Sequence, residues 1–234
     1  GKAAILAPAS DLTAAQITRL TSPRHPVAGM DMQRTHVMGI LNVTPDSFSD
    51  GGLHNAPSRA CAAGMRMVED GVDILAIGGE STRPGAEDVP VEAELARIDP
   101  VIRALRHKSD VAMSIDTRKA LVAQEALGAG ANLVNDVSGF TYDAGLAPLC
   151  VAAGVPVCVM HAQGDPQTMQ KNPTYDDVLL DVYDFLEAQV SYLESLGLER
   201  SKIIVDPGIG FGKKVAHNIA LLEGLALFHS LGCA

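Results

Sequence analysis

Val111-Ala112-Met113-Ser114-Ile115-Asp116-Thr117-Arg118, a helical stretch closed by Gly130, and then Leu133-Val134-Asn135-Asp136 form the segment that decides the fold. Each apolar run ends on polar residues, and the glycine between them suits the left-handed position at which helices stop. The same order recurs along the chain. Gly71 precedes Ile74-Leu75-Ala76-Ile77, Gly154 precedes Pro156-Val157-Cys158-Val159-Met160, and Gly197 precedes Ile203-Ile204-Val205. Thr35-His36-Val37-Met38-Gly39-Ile40-Leu41 heads the series, giving six strands. Each is followed by a helix, the last a shorter one near 217–229. The helix before the sixth strand is the most periodic, with Val178, Leu179, Val182, Phe185, Leu186, Val190, Leu193 and Leu196 on one stripe. Thr174 and Asp177 approximate its capping box. Continuous apolar strands alternating with helices predict a parallel sheet covered on both faces. It is either an open doubly wound sheet or a (β/α)8 barrel.

Composition bounds the function. The 234 residues are 47% hydrophobic and 20% charged, with mean hydropathy +0.15, which excludes a disordered chain. No apolar run reaches the roughly 18 residues of a membrane span. The charged start and apolar stretch of a secretory signal are also missing, so a cytoplasmic protein is expected. Twenty-eight acidic residues against 18 Lys and Arg give a net charge of −10, which argues against a nucleic-acid partner. The chain has no tryptophan, leaving few aromatic platforms for bases. Cys61, Cys150, Cys158 and Cys233 form no C-x-x-C pair and no zinc spacing, and read as buried reduced thiols. Residues 1–34, with Pro8, Pro23 and Pro26, read as a lead-in or small cap to a domain spanning 35–234.

In both candidate architectures chemistry collects at the carboxyl ends of the strands, and those ends are polar here. They read Asn42 through Gly52; Gly78-Gly79-Glu80-Ser81-Thr82-Arg83-Pro84-Gly85; Ser114-Ile115-Asp116-Thr117-Arg118; Asn135-Asp136-Val137-Ser138-Gly139; Met160-His161; and Val205 through Lys213. A single Asn or Asp there is ordinarily a cap or turn former; six such ends in succession point to a site. Alternation puts Ser114 and Asp116 on one face, and Ile204 and Asp206 on one face. A ring of Asp116, Asn135 and Asp206 offers acceptors and an amide to a flat heterocycle rich in N–H groups, since buried carboxylates need donors. Gly208-x-Gly210-x-Gly212-Lys213 has neither P-loop nor dinucleotide-fold spacing. The Gly78-Gly79 pair with Arg83 serves equally as an anion site or a tight loop, and His161 reads first as a satisfied core histidine.

Taken in order, Met38 through Gly52, Gly78 through Gly85, Ser114-Ile-Asp-Thr117, Asn135 through Gly139, Met160-His161, Gln163 through Gln170 and Asp206 through Lys213 resemble the bacterial dihydropteroate synthases. The likeness runs from about residue 35 to the C-terminus. It implies a (β/α)8 TIM-type barrel, of which about six βα units fall within this chain. It implies the condensation of 6-hydroxymethyl-7,8-dihydropterin diphosphate with para-aminobenzoate, with Mg²⁺ serving the diphosphate. Asn42, Asp116 and Asp206 take the catalytic roles by motif match. Asp116, Asn135 and Asp206 hold the pterin, Met160 packs at its ring, and Asn42 meets the diphosphate and metal. Thr82, Arg83, Pro84 and Phe211 frame the aminobenzoate, joined by Pro45 and Phe48 on loop closure. A cytoplasmic homodimer and sulfonamide target is implied as well.

Two departures stand out. Ala76 occupies a position where the family usually carries Asp, and two further strands with a Ser-Arg-Lys segment and an Arg-x-His are expected beyond Cys233. Open edges on the first and sixth strands follow from that expectation. A corrinoid methyltransferase acting on methyltetrahydrofolate and a non-catalytic pterin-binding fragment are the alternative readings.

Overall fold

A computed structural model of the chain describes residues 8–44, 56–81, 86, 88–164 and 169–234. Six strands, β1 (Met38–Asn42), β2 (Ile74–Gly78), β3 (Ala112–Asp116), β4 (Leu133–Asp136), β5 (Val157–Met160) and β6 (Ile203–Asp206), form one sheet in the order of the chain. Every neighbouring pair is parallel. The helices between them are α2 (Ala56–Glu69), α3 (Val91–Arg106), α4 (Ala120–Ala129), α5 (Leu146–Ala153) and α6 (Val178–Ser195); α1 (Ala14–Thr21) precedes them and α7 (Val215–Glu223) follows β6. A doubly wound sheet reverses its strand order at a switch point. This sheet never reverses, so it is the wall of a barrel.

Strand alternation sorts the core into two layers. Outward residues such as Leu75, Ile77, Met113, Ile115, Val134 and Val159 are completely buried against the helices. Each contributes about 1.5–3 kcal/mol of apolar burial. Inward residues Ile74, Ala112, Leu133 and Cys158 form a smaller cluster at the amino ends of the strands, closed from below by Val27. Val27 and Met30 pair in an antiparallel bridge around Ala28 and Gly29, both at positive φ. The segment before β1 therefore supplies a tight hairpin that plugs the barrel. Helix α1 carries a reciprocal capping box between Thr13 and Gln16.

Several local expectations need correcting. β1 starts at Met38 rather than Thr35, because Val37 is engaged at the barrel's lower rim, where its N–H donates to Asp73 Oδ2 (2.9 Å). Asp73 in turn is held well below the usual carboxylate range by Arg34 and by this N–H. Asp177, not Thr174, caps α6, its Oδ1 accepting from the N–H groups of Leu179 and Leu180. Thr174 instead pairs through its backbone with the Gln163 amide. The last helix divides at Gly224 into α7 and a 3₁₀ segment, Leu225–Leu231; glycine suits this position because a side chain there would run into Leu179. The edge of β6 is partly paired: Ala234 N–H donates to Ile203 O and Val205 N–H to Ala234 O. Gly71, Gly130, Gly154 and Gly197 take positive φ just after helices, as their spacing predicts. All four cysteines are buried and free. No described helix is long and apolar enough to cross a membrane.

Candidate active site

One register row carries the site. Asn42 is opposite Gly78, Gly78 opposite Asp116, and Asp116 opposite Asn135. The missing side chain at Gly78 makes room: a Cβ there would lie 3.5 Å from the Asp116 Cβ and 3.8 Å from the Asn42 Oδ1. Asn42 and Asp116 thus converge on the same space. Asp116 opens into a cavity of about 330 Å³ whose walls include Arg118, Val137, Ser138, Tyr142 and Phe211. That is the size range of small-molecule sites. Two rungs from Asn135, Met160 on β5 is opposite Asp206 on β6, and Met160 is buried.

Burial dominates the electrostatics. Desolvation, with added repulsion from Asp136, Glu94 and Glu80, raises the Asp116 carboxyl to about 7. Burial raises Asp206 too, opposed by the Gly208 N–H on its Oδ1 at 2.7 Å and by the Lys213 charge. Cys158 reports where these groups meet: burial first, then the Asp206 and Asp116 charges, push its thiol far above the ordinary range. Two acids whose ionisation is made costly by burial suit a ligand that brings N–H donors. Asp136, next to Asn135, points the other way. Its carboxylate accepts from the Ser138 N–H and hydroxyl and the Phe140 N–H, fixing the turn that lines the cavity.

The loop after β6 is fastened to the end of β5. Lys213 Nζ donates to Phe211 O (2.8 Å), His161 O (3.2 Å) and His161 Nδ1 (3.0 Å). Nδ1 therefore accepts, and the neutral ring carries its proton on Nε2. Burial and the Lys213 charge bring His161 down to about 4, and burial brings Lys213 down to about 8. His161 is a structural partner, as its position after an apolar strand suggested. Gly208 adopts φ +67°, and a Cβ there would come within 1.9 Å of His161 O, so only glycine permits this approach.

The structure brings together Asn42, Asp116 and Asn135 in one row and Met160 with Asp206 in the next, and it places Phe211 on the cavity wall. Pro45, Phe48, Thr82, Arg83 and Pro84 lie outside the described residues. A buried ion network beside the cavity was not anticipated from the sequence. Arg118 reaches Glu80 and Asp88, while Lys119 reaches Glu94 and Glu80. Its one legible trace is Glu94, an acid on the buried stripe of α3 with Ile98, Val101, Ile102 and Leu105. Ala76, at the departure from the family pattern, is buried opposite Ser114. The Ser114 Oγ has no hydrogen-bond partner among the described residues.

The comparisons with known proteins agree with this fold. Residues 38–234 match the pterin binding enzyme family. The dihydropteroate synthase of Escherichia coli (strain K12) is 46% identical over 200 residues, covering 86% of this chain and 71% of the relative. That of Synechocystis is also 46% identical over 200 residues, covering 86% and 69%. Among solved structures, Xanthomonas albilineans dihydropteroate synthase with 4-aminobenzoic acid superposes with a TM-score of 0.83 at 44% identity, covering 91% of this chain and 76% of that one. The Yersinia pestis enzyme, solved with a sulfonamide drug, gives 0.82 at 45% identity, covering 87% and 74%. A run of six parallel βα units thus matches one family from residue 38 to residue 234, and the chain belongs to the pterin-binding enzymes, among the dihydropteroate synthases.

Proposed function

We propose that this chain condenses 6-hydroxymethyl-7,8-dihydropterin diphosphate with para-aminobenzoate, releasing 7,8-dihydropteroate and pyrophosphate. The observation that carries the reading is the row Asn42–Gly78–Asp116–Asn135. It presents a carboxylate and two amides on one barrel face with space cleared in front of them. Asp116 and Asp206 accept from the pterin N–H groups, Asn135 offers a donor and an acceptor, and Met160 packs against the ring.

The reaction needs no protein nucleophile. The bond between the pterin methylene and the diphosphate oxygen breaks, the aryl amine bonds to the methylene, and the amine proton leaves to solvent. Positive charge develops on the pterin as the diphosphate departs, and the ionised carboxylates of Asp116 and Asp206 favour it electrostatically. Phe211 helps to form the aminobenzoate side of the cavity. No three His, Cys, Asp or Glu side chains cluster for a metal among the described residues. The Asn42 Oδ1 at the rim suits Mg²⁺, a hard cation commonly held through substrate phosphates and few protein ligands. Mg²⁺ supplies charge neutralisation to the leaving diphosphate.

On the same reading the enzyme acts in the cytoplasm as a homodimer, and sulfonamides compete for its aminobenzoate side. The Yersinia pestis relative solved with such a drug supports this last point. Pyrophosphate release with both substrates and Mg²⁺ tests the proposal. Pterin binding without release would support a non-catalytic pterin protein instead, and methyl transfer from a methylated folate would support the corrinoid methyltransferase reading.

A further inference from the structure

Three consecutive carbonyls of the β6–α7 loop each accept from a side chain. Gln170 Nε2 donates to Gly210 O at 2.5 Å, Lys213 Nζ to Phe211 O at 2.8 Å, and the Tyr175 hydroxyl to Gly212 O at 2.8 Å. Lys213 belongs to the loop itself, whereas Gln170 and Tyr175 come from the connection between β5 and α6. The two connections also meet at the main chain: a Cβ at Gly212 would lie 2.6 Å from Gln163 O. Gln163 in turn pairs its amide with the backbone N–H and carbonyl of Thr174, the residue before Tyr175. The Tyr175 ring is braced as well, in a T-shaped pair with His217 whose centroids are 4.9 Å apart.

These ties hold part of the cavity wall. Phe211 lines the cavity, and so does Met169, the residue before Gln170. Gly210 and Gly212 flank Phe211, both at positive φ, and glycine has no side chain to confine its torsions. The direction of the Phe211 ring therefore rests on the hydrogen bonds that orient the peptide groups around it. Lys213 supplies one from within the loop and fastens it to His161. Gln170 and Tyr175 set the loop's place relative to Met169. The Asp116–Asn135 rung is held by strand pairing and depends on none of these contacts.

Building on the synthase reading above, we propose that Tyr175 and Gln170 are positioning residues that hold Phe211 in the wall of the substrate cavity. Neither lines the cavity; both act through the main-chain carbonyls beside Phe211.

Calorimetry of 7,8-dihydropteroate, the product that joins both substrates, tests this on the full chain. Tyr175→Phe keeps the ring and loses only the hydroxyl, and should raise the Kd about fivefold. Gln170→Met, at a more exposed tie, should raise it about threefold. Phe211→Ala should raise it about tenfold. With Phe211→Ala already in place, adding Tyr175→Phe should change the Kd by less than about twofold, because the ring it positions is gone. A hydroxyl that served the fold alone would lower affinity by the same factor in both backgrounds. If the Tyr175→Phe and Phe211→Ala pair fails to fold, Gln170→Met with Phe211→Ala carries the comparison. An unchanged Kd in both Tyr175→Phe and Gln170→Met, or the same loss with and without the Phe211 ring, would overturn the positioning role while the parent still binds. No binding of 7,8-dihydropteroate by the parent chain would overturn the synthase reading and this inference together.

Discussion

Asp116 and Asn135 are register partners on adjacent parallel strands, one ending β3 and the other within β4. Backbone pairing alone therefore brings a carboxylate and an amide to the same rung of the barrel's inner face, before any loop contributes. The chemistry of the pterin half rests on hydrogen-bonded strands, which is where positional precision is easiest to maintain.

Asp116 trades stability for function. Its carboxyl titrates near 3.8 when unfolded and about 7 when folded. Between these values the folded state holds more protons, so its contribution to stability falls as pH rises. Asp116→Asn removes that loss. Relative to the parent its melting temperature should rise across pH 4–7 and level off above, by the equivalent of about 1–2 kcal/mol once cavity water is allowed for. Pterin affinity of the parent should climb with pH up to about 7 and then flatten, because binding uses the ionised form. A flat affinity from pH 5 to 8 would contradict this.

Asn135→Ala and Asp206→Ala should each weaken pterin binding by about 1–3 kcal/mol, roughly tenfold to a hundredfold. Both residues are only partly buried, so denaturation midpoints should move much less. Calorimetry and denaturant titration on the same samples decide between a binding and a folding role.

Lys213→Met would leave Phe211 O, His161 O and His161 Nδ1 without their common donor. The expected cost is about 2–3 kcal/mol, read as a lower denaturant midpoint with an unchanged slope. Removing the neighbouring charge should also raise the His161 pKa from about 4, a shift observable by NMR titration of the ring.

Gly208 and Gly210 separate conformational strain from collision. Both have positive φ, but a Cβ at Gly210 meets nothing within 4 Å, whereas one at Gly208 strikes the His161 carbonyl. Gly210→Ala should cost about 1–2 kcal/mol. Gly208→Ala should cost several kcal/mol or prevent folding, because main chain cannot yield as a flexible side chain can. Equal melting temperatures for the two variants would refute the close approach.

The sequence by itself determined the alternation of strands and helices. Strands covered on both faces must be apolar throughout, and helices that stop at Gly130 or Gly154 need a residue tolerant of positive φ. It also located the polar rim, since Asn42, Asp116, Asn135 and Asp206 interrupt apolar runs at places where no core could hold them unpaired. Which way that rim faces was left to tertiary structure. Asn135 and Asp136 are consecutive and both polar; only the pairing of Asn135 with Asp116 sends one into the barrel and the other outward to cap a turn. The unreversed strand order, which makes the sheet a barrel wall, is likewise a matter of which strands pair. The ion network of Glu80, Glu94, Arg118 and Lys119 and the joining of Lys213 to His161 link residues up to 52 positions apart. Hydrophobic period reports which face of an element is buried, but not which charged groups on different elements the packing will bring within hydrogen-bonding distance.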